Sequence, residues 1–286
     1  MMPAILNDPI VRLFALPFIA SLLLAGLIRW VGAQGRGDQA AGASVGIVFA
    51  WAAAYELGPQ VWPPSADDNN MFYMIACGLL IGIPFDFLRS RFVGKKETPQ
   101  MRYAEIAIAL LFGLAASIWG RGHLDWWTPM LVAAWGVVAL RITIVAQQDA
   151  PVASSMLASG AAGLSAVAWA AGLETNLAFQ FTAAAAGYFV LNWLDPRLRF
   201  GMTLILTGAG ALMLVGLRLS NTTYAVAPSL LILGFVFFAD APVRRLFSPS
   251  KARERWLMPI LSAVASLLPI ALAALAAHIG VNYEAG

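Results

Sequence analysis

The feature that most constrains this chain is a run of long apolar stretches separated by short polar linkers, as in "FIASLLLAGLI" and "ALAALAAHIG". A helix that crosses a bilayer needs roughly 20 mostly apolar residues. The sequence is 60% apolar and only 12% charged, whereas a soluble domain carries about 25% charged residues. We therefore predict an all-α, polytopic membrane helix bundle in one domain, 1–286. Its ten predicted transmembrane helices are 11–31, 40–57, 71–88, 103–120, 129–147, 153–172, 176–194, 200–218, 224–241 and 256–279.

The basic residues predict how these helices are oriented. Of the 18 lysines and arginines, 15 fall at or near the linkers that follow helices 1, 3, 5, 7 and 9, and only Arg12, Arg121 and Arg218 fall on the other side. Loops rich in lysine and arginine stay in the cytoplasm. The pattern thus predicts cytoplasmic odd-numbered linkers and both termini outside the cell.

The same composition argues against several classes of protein. A single cysteine, Cys77, and two distant histidines, His123 and His278, leave no basis for a zinc site built on these residues. The net charge of +3 does not favour nucleic acid as a partner. The N-terminal apolar segment has neither a basic n-region nor a small-residue cleavage pattern, so we interpret it as the first membrane helix.

Acidic residues are concentrated at one side of the predicted bundle. Asp86, Asp149, Asp195 and Asp240 each close an odd-numbered helix, and Asp38 follows helix 1. Acids at such positions are often functional, and carboxylates beside arginines can bind Mg²⁺ and phosphate. The alternative is that each acid pairs with the next arginine, as Asp86 with Arg89 or Asp240 with Arg244. Both interpretations remain open at this point.

The stretch "GYFVLNWLDPRLRFGM" resembles a signature of the polyprenyl-phosphate N-acetylhexosamine-1-phosphate transferases. That family moves a sugar-1-phosphate from a UDP-sugar to a polyprenyl phosphate. Gly187, Asn192, Arg197 and Gly201 match its pattern, while Met202 stands where the family has a metal-binding aspartate.

Three weaker matches follow the family's order along the chain. In "LLIGIPFDFLRSRF", Asp86 matches the second acid of a pair and Phe85 replaces the first. In "VAQQDAPVASS", Asp149 matches one acid and Val152 replaces the other. Asp240 with a following basic pair resembles a fourth motif. The resemblance implies that Asp86 and Asp149 are catalytic candidates and that substrate binding falls to Asn192, Arg197, Gly201, Arg89, Asp240, Arg244 and Arg245.

The substitutions at Met202, Phe85 and Val152 remove ligands that Mg²⁺-dependent phosphoryl transfer needs. The resemblance then implies a catalytically degenerate relative in the bacterial inner membrane, acting in or regulating a cell-envelope glycan or lipid-carrier pathway. It also implies polyprenyl phosphate and a UDP-sugar as ligands, and a homodimer or an envelope-biosynthesis partner. Two alternatives stay open. One is a divergent but active sugar-1-phosphate transferase that uses Mg²⁺, and the other is a membrane transporter or scaffold subunit.

Overall fold

A computed structural model describes residues 8–58, 67–90, 99–121, 127–195, 197–223, 226–247 and 252–285. Within these ranges every regular element is helical, and no strand occurs. The main helices, in chain order, are α1 (Val11–Gly32), α2 (Ala43–Leu57), α3 (Asp67–Ser90), α4 (Pro99–Arg121), α5 (Trp127–Gln148), α6 (Ala150–Ala170), α7 (Asn176–Leu194), α8 (Met202–Thr222), α9 (Val226–Leu246) and α10 (Ala252–Ala285).

Seven of these helices are long and apolar enough to cross a membrane, namely α1, α3 and α6 to α10. The apolar parts of the other three are shorter within the described residues: Ala43–Leu57, Tyr103–Ala116 and Val132–Gln148. The prediction of an all-helical membrane protein is thus confirmed. The count of ten crossings and the external placement of both termini remain predictions.

Helices α1 and α7 run in one direction and α2 runs in the other, as contacts at their two ends demonstrate. At one end, Arg29 near the end of α1 forms an ion pair with Asp195, which directly follows α7. At the other end, Arg12 at the start of α1 pairs with Glu56 near the end of α2 at 3.0 Å. Asn176 at the start of α7 donates to the same Glu56 at 3.2 Å. We call the end that carries Arg29, Arg89, Arg197, Arg199 and Arg245 the arginine face.

Helix α8 is the centre of the bundle, and small residues let its neighbours approach it closely. In an apolar 18-residue stretch of α8, 94% of the residues are buried, whereas in the corresponding stretches of α1 and α10 only 17% and 22% are buried. A Cβ at Gly46 of α2 would lie 2.7 Å from Cβ of Thr207, and one at Gly82 of α3 would collide with the backbone of Thr203. Because apolar burial gives little driving force in lipid, such close packing is a main source of helix association. α1 and α10 expose their apolar side chains on the outside of the bundle, as lipid contact requires.

Helix α9 departs from regular geometry. Its first part, Val226–Leu233, is α-helical, Gly234–Phe238 is a 3₁₀ segment, and Asp240–Leu246 resumes the α-helix. Arg141 lies beside this interruption, and its Nε donates to the carbonyl oxygen of Phe237 at 3.2 Å. The count of linker charges assigned Arg141 to the linker after helix 5, although it lies within the predicted helix 129–147. The structure places it inside α5, two turns before the helix ends, where it contacts a neighbouring helix.

Candidate functional site

A polar cleft of about 620 Å³ opens on the arginine face. It lies where α1, α3, α5 and α7 end and where α4, α6 and α8 begin. The sequence analysis placed Asp38 and the acids at the ends of predicted helices 3, 5, 7 and 9 on one side, and of these acids Asp38 is the one that lines this cleft. We call this feature the arginine cleft. Its polar lining residues are Arg29, Asp38, Gln39, Arg89, Glu105, Thr143, Gln147, Gln148, Arg197 and Arg199.

Two of the four arginines in the cleft are held by carboxylates. Arg29 bridges Asp38, at 3.2 Å, and Asp195. Arg89 pairs with Glu105 at 2.8 Å. The alternative interpretation paired Asp86 with Arg89, and the ion pair that the structure describes for Arg89 is with Glu105 of α4. These pairs fix the ends of α1, α3 and α7 around the cleft.

The other two arginines, Arg197 and Arg199, are exposed. Their backbones are fixed, since Arg197 N–H donates to Oδ1 of Asp195 at 3.2 Å and Arg199 N–H donates to the carbonyl oxygen of Asp38 at 2.9 Å. Among the described residues neither guanidinium has a carboxylate partner. The cleft lining carries four arginines against the carboxylates of Asp38 and Glu105, so its net charge is positive. Guanidinium groups on a fixed backbone are suited to bind phosphate or carboxylate oxygens.

Asp86, a catalytic candidate, holds the start of α8 instead. Its side chain is fully buried. Oδ1 accepts from Met202 N–H at 2.6 Å, while Oδ2 accepts from Thr203 N–H at 3.0 Å and from Thr203 Oγ1–H at 2.5 Å. A carboxylate at a helix N-terminus satisfies orphan N–H groups and interacts favourably with the helix dipole. The geometry thus assigns Asp86 the role of a helix cap contributed by another helix.

Gly201 and Met202 explain why this arrangement fits. A Cβ at Gly201 would lie 2.5 Å from Oδ2 of Asp86 and 2.6 Å from the carbonyl oxygen of Gln39, so only glycine allows these groups to meet. The side chain of Met202 is fully buried in the core. The position that the resemblance associates with a metal ligand therefore presents its backbone N–H to Asp86 and its side chain to apolar neighbours.

Asp149 and Asn192 also act within the framework. Asp149 is the N-cap of α6, and its side chain accepts from Val152 N–H at 3.3 Å. Asn192 is buried in α7, and its Nδ2 donates to the carbonyl oxygen of Ala150 and to Ser154 Oγ, both at 3.2 Å. Neither residue lines the cleft. Asp149 thus caps α6, and Asn192 joins the start of α6 to the end of α7.

Asp240, Arg244 and Arg245 lie away from the cleft lining. Buried Asp240 accepts from Arg141 at 2.6 Å and from Arg244 at 2.9 Å, so the predicted pairing of Asp240 with Arg244 is confirmed. Arg245 is exposed on the same face. Of the residues predicted to bind substrate, the cleft therefore brings together only Arg89, Arg197 and Gly201.

Sequence reasoning missed other members of the cleft. Arg29 and Arg199 were counted only as topology charges, Thr143 was noted only as the replacement of an asparagine in the resembled motif, and Gln39, Glu105, Gln147 and Gln148 were not singled out. The available signal was their position, because each lies within a few residues of a helix end on the arginine-rich side. Within the described part of the chain, no group of three or more histidine, cysteine, aspartate or glutamate residues is placed to hold a metal ion.

A second, apolar cavity of about 110 Å³ lies between α5, α6, α8 and α9, and no charged side chain lines it. The polar cleft is therefore the candidate site for a charged ligand.

No protein-family model matches this chain, and no curated protein matches its sequence.

Proposed function

We propose that this membrane protein binds a phosphate-bearing ligand in the arginine cleft without catalysing transfer of the phosphate. In this proposal it is a non-catalytic relative of the polyprenyl-phosphate sugar-1-phosphate transferases, in the bacterial inner membrane with the cleft toward the cytoplasm. It serves a cell-envelope lipid-carrier pathway. The observation that carries the proposal is the pair of exposed guanidinium groups, Arg197 and Arg199, in a cleft of net positive charge.

Phosphate is the anion favoured by this arrangement. A guanidinium group donates two parallel hydrogen bonds to phosphate oxygens, and such charge-assisted bonds are about twice as strong as neutral ones. The cleft also lies at the ends of membrane helices, where the phosphate of a lipid resides. A polyprenyl phosphate would place its phosphate beside Arg197 and Arg199 while its chain stays in the bilayer.

We propose binding without catalysis because Asp86 and Asp38 already have partners within the protein. Mg²⁺ requires several oxygen ligands in near-octahedral geometry. Asp86 already accepts three hydrogen bonds from the start of α8, and Asp38 is engaged by Arg29. Because both carboxylates already have these partners, the proposed cleft holds a phosphate through its arginines and does not activate the phosphate with a metal ion.

The binding test uses undecaprenyl phosphate in detergent micelles. Arg197→Gln and Arg199→Gln are each expected to weaken its binding by roughly tenfold to a hundredfold, the value of a hydrogen bond to a charged group. Arg245→Gln is the matched control, since it removes the same charge from the same face outside the cleft. Equal losses in all three variants would indicate attraction by the face as a whole and would overturn the proposed site.

The catalytic test incubates the purified protein with Mg²⁺, undecaprenyl phosphate and a panel of UDP-sugars. We expect no release of UMP above the protein-free background. Mg²⁺-dependent release of UMP would overturn the non-catalytic part of the proposal and favour the active transferase.

A transporter is the second candidate, and the interruption of α9 favours it. Discontinuous helices and buried charges inside the membrane are typical of transporter binding sites. Here the 3₁₀ segment Gly234–Phe238 adjoins the buried pair of Asp240 and Arg141. Uptake of labelled phosphate into proteoliposomes, above the uptake into protein-free liposomes, would support transport over binding alone.

A further inference from the structure

The apolar cavity of about 110 Å³ between α5, α6, α8 and α9 is a space that the proposed function does not use. It is lined by alanine, valine, leucine, methionine, phenylalanine, tryptophan and glycine residues, and Trp135, Leu212 and Met213 are among its buried walls. The indole N–H of Trp135 already donates to the carbonyl oxygen of Ala209 at 3.1 Å. Because a water molecule in a cavity needs about two to four polar partners, these walls favour an apolar occupant.

Two glycines in the lining leave the space open. A Cβ at Gly216 of α8 would find its nearest neighbour, Cδ1 of Leu230, at 3.8 Å. A Cβ at Gly234 of α9 would meet nothing within 4 Å. Atoms that border such a gap lose dispersion contacts on that side. An apolar group that enters the cavity therefore gains contacts with its walls.

The cavity opens toward the lipid between α5 and α9. Its lining residues from α6 and α8 are all buried, whereas the partly exposed ones all belong to α5 and α9, namely Ala134, Val138, Leu230, Leu231 and Gly234. Beside them, Val137 of α5 and Phe235 of α9 are 51% and 66% exposed on the outside of the bundle. Because α6, α8 and α9 are long and apolar enough to cross the membrane, the medium at this opening is hydrocarbon.

The depth of the cavity corresponds to the ends of lipid chains. Val138 lies 10 positions before Gln148, the last residue of α5, and Leu212 lies 10 positions after Met202, the first residue of α8. Gln148 and Met202 are both at the arginine face. A helical segment of this length spans about 15 Å, which is half of the roughly 30 Å hydrocarbon core. The bilayer offers the methyl ends of its acyl chains at that depth.

We propose that the apolar cavity binds the methyl end of a phospholipid acyl chain, which enters between α5 and α9. An apolar cavity of about 150 Å³ takes up benzene, so this one has room for roughly four carbon atoms. The linear end of an acyl chain is narrower than the methyl-branched units of a polyprenyl chain, and phospholipids supply most chains of a bilayer. The bound end packs against Leu233 and Phe237, at the interruption of α9. This second site is independent of the arginine cleft.

The test reconstitutes the full protein with phosphatidylcholine that carries a photoreactive diazirine either at the methyl end or near the carboxyl end of one acyl chain. Illumination should attach the methyl-end probe to Leu212 and Met213, which line the cavity from α8 and are 8% and 7% exposed. A lipid that stays outside the bundle cannot reach these residues, so mass spectrometry of α8 peptides detects entry of the chain. The probe near the carboxyl end should leave them unlabelled.

Variants that fill the cavity provide the second part of the test. Gly216→Leu should abolish the labelling of α8, because its side chain occupies the space beside Leu230. Gly26→Leu is the matched control, since it makes the same change on α1, where a Cβ meets nothing within 4 Å, and it should be labelled like the wild type. Ala134→Leu narrows the opening from α5 and should also reduce the labelling. It provides the answer if Gly216→Leu does not fold.

Three results would overturn the inference: no label on α8 in the wild type, label that persists in both Gly216→Leu and Ala134→Leu, or equal labelling by the two probes. Suppression of the label by a small fraction of undecaprenyl phosphate in the bilayer would identify a polyprenyl chain as the occupant, which would likewise overturn it. The arginine cleft is tested separately by the binding of undecaprenyl phosphate to Arg197→Gln, and a failure there leaves the cavity unaffected.

Discussion

At the scale of single residues, the acids at the helix ends are part of the framework, and the free arginines define the chemistry of the cleft. Asp86 caps α8, Asp149 caps α6 and Asp195 pairs with Arg29. Each carboxylate satisfies donors that would otherwise be left without partners at a helix end. The charge that remains available to a ligand is therefore positive.

We predict that Asp86→Asn destabilises the protein by roughly 1–3 kcal/mol, the cost of leaving buried donors without an acceptor. The amide keeps the size of the side chain but turns an NH₂ group toward one of the N–H donors of α8. Unfolding in mixed micelles of increasing SDS content measures the effect. Glu174→Gln is the control, because Glu174 is 67% exposed. Equal stability of the two variants would contradict the capping role of Asp86.

A second prediction at this scale concerns Gly201. Its φ of −81° and ψ of 174° are open to any residue, so only steric contact opposes a side chain. Gly201→Ala should lower the unfolding midpoint, because its Cβ would meet Asp86 and Gln39. Gly26→Ala is the matched control, since a Cβ there meets nothing within 4 Å. A helical glycine replaced by alanine should be neutral or stabilising by about 0.5–1 kcal/mol. Similar midpoints for the two variants would refute the close contact.

At the scale of elements, an ion pair fixes the irregular helix α9 against its neighbour α5. The second part of α9 is tied to α5 by the pair of Asp240 and Arg141, and Arg141 also lies over the ring of Phe238 at 5.6 Å. Asp240 is 1% exposed, so Arg141 and Arg244 take the place of water around its carboxylate. The interruption of α9 thus lies beside its ion pair with α5.

Arg141→Met is expected to cost roughly 1–3 kcal/mol, the value of a hydrogen bond to a charged group, because Asp240 keeps Arg244 as a partner. The double variant Arg141→Met/Asp240→Asn should recover part of this loss, because no buried charge is then left with Arg244 as its one remaining arginine partner among the described residues. SDS unfolding of both variants and of Asp240→Asn completes a double-mutant cycle. Additive losses would show that the two side chains do not interact energetically.

At the scale of the whole molecule, the arginine face differs from the opposite end in its charge and in carrying the arginine cleft. The described part of the opposite end carries Arg12 and Arg218, which pair with Glu56 and Glu174. The arginine face carries the cleft and its exposed guanidinium groups. This asymmetry underlies the prediction that the arginine face is cytoplasmic.

Cysteine labelling checks this orientation. In a Cys77→Ser background, Leu246→Cys and Tyr283→Cys place a thiol at sites that are 79% and 88% exposed, respectively. A membrane-impermeant maleimide added to intact cells should label Tyr283→Cys only, since the C-terminus is predicted to lie outside. Permeabilised cells provide the control, because both variants should then react. Labelling of Leu246→Cys in intact cells would reverse the predicted topology.

The sequence by itself determined the helical class, the approximate helix bounds and the side on which the arginines gather. Hydropathy and charge act locally along the chain, so they can be identified without knowing which helices touch. Only the tertiary structure decided what each polar residue does. Asp86 meets Met202 across 116 positions of sequence, and Gln39 joins the cleft through a connection between α1 and α2 that carries no motif. Such contacts depend on how closely the helices pack, and the close packing of α2 and α3 on α8 brings those side chains together.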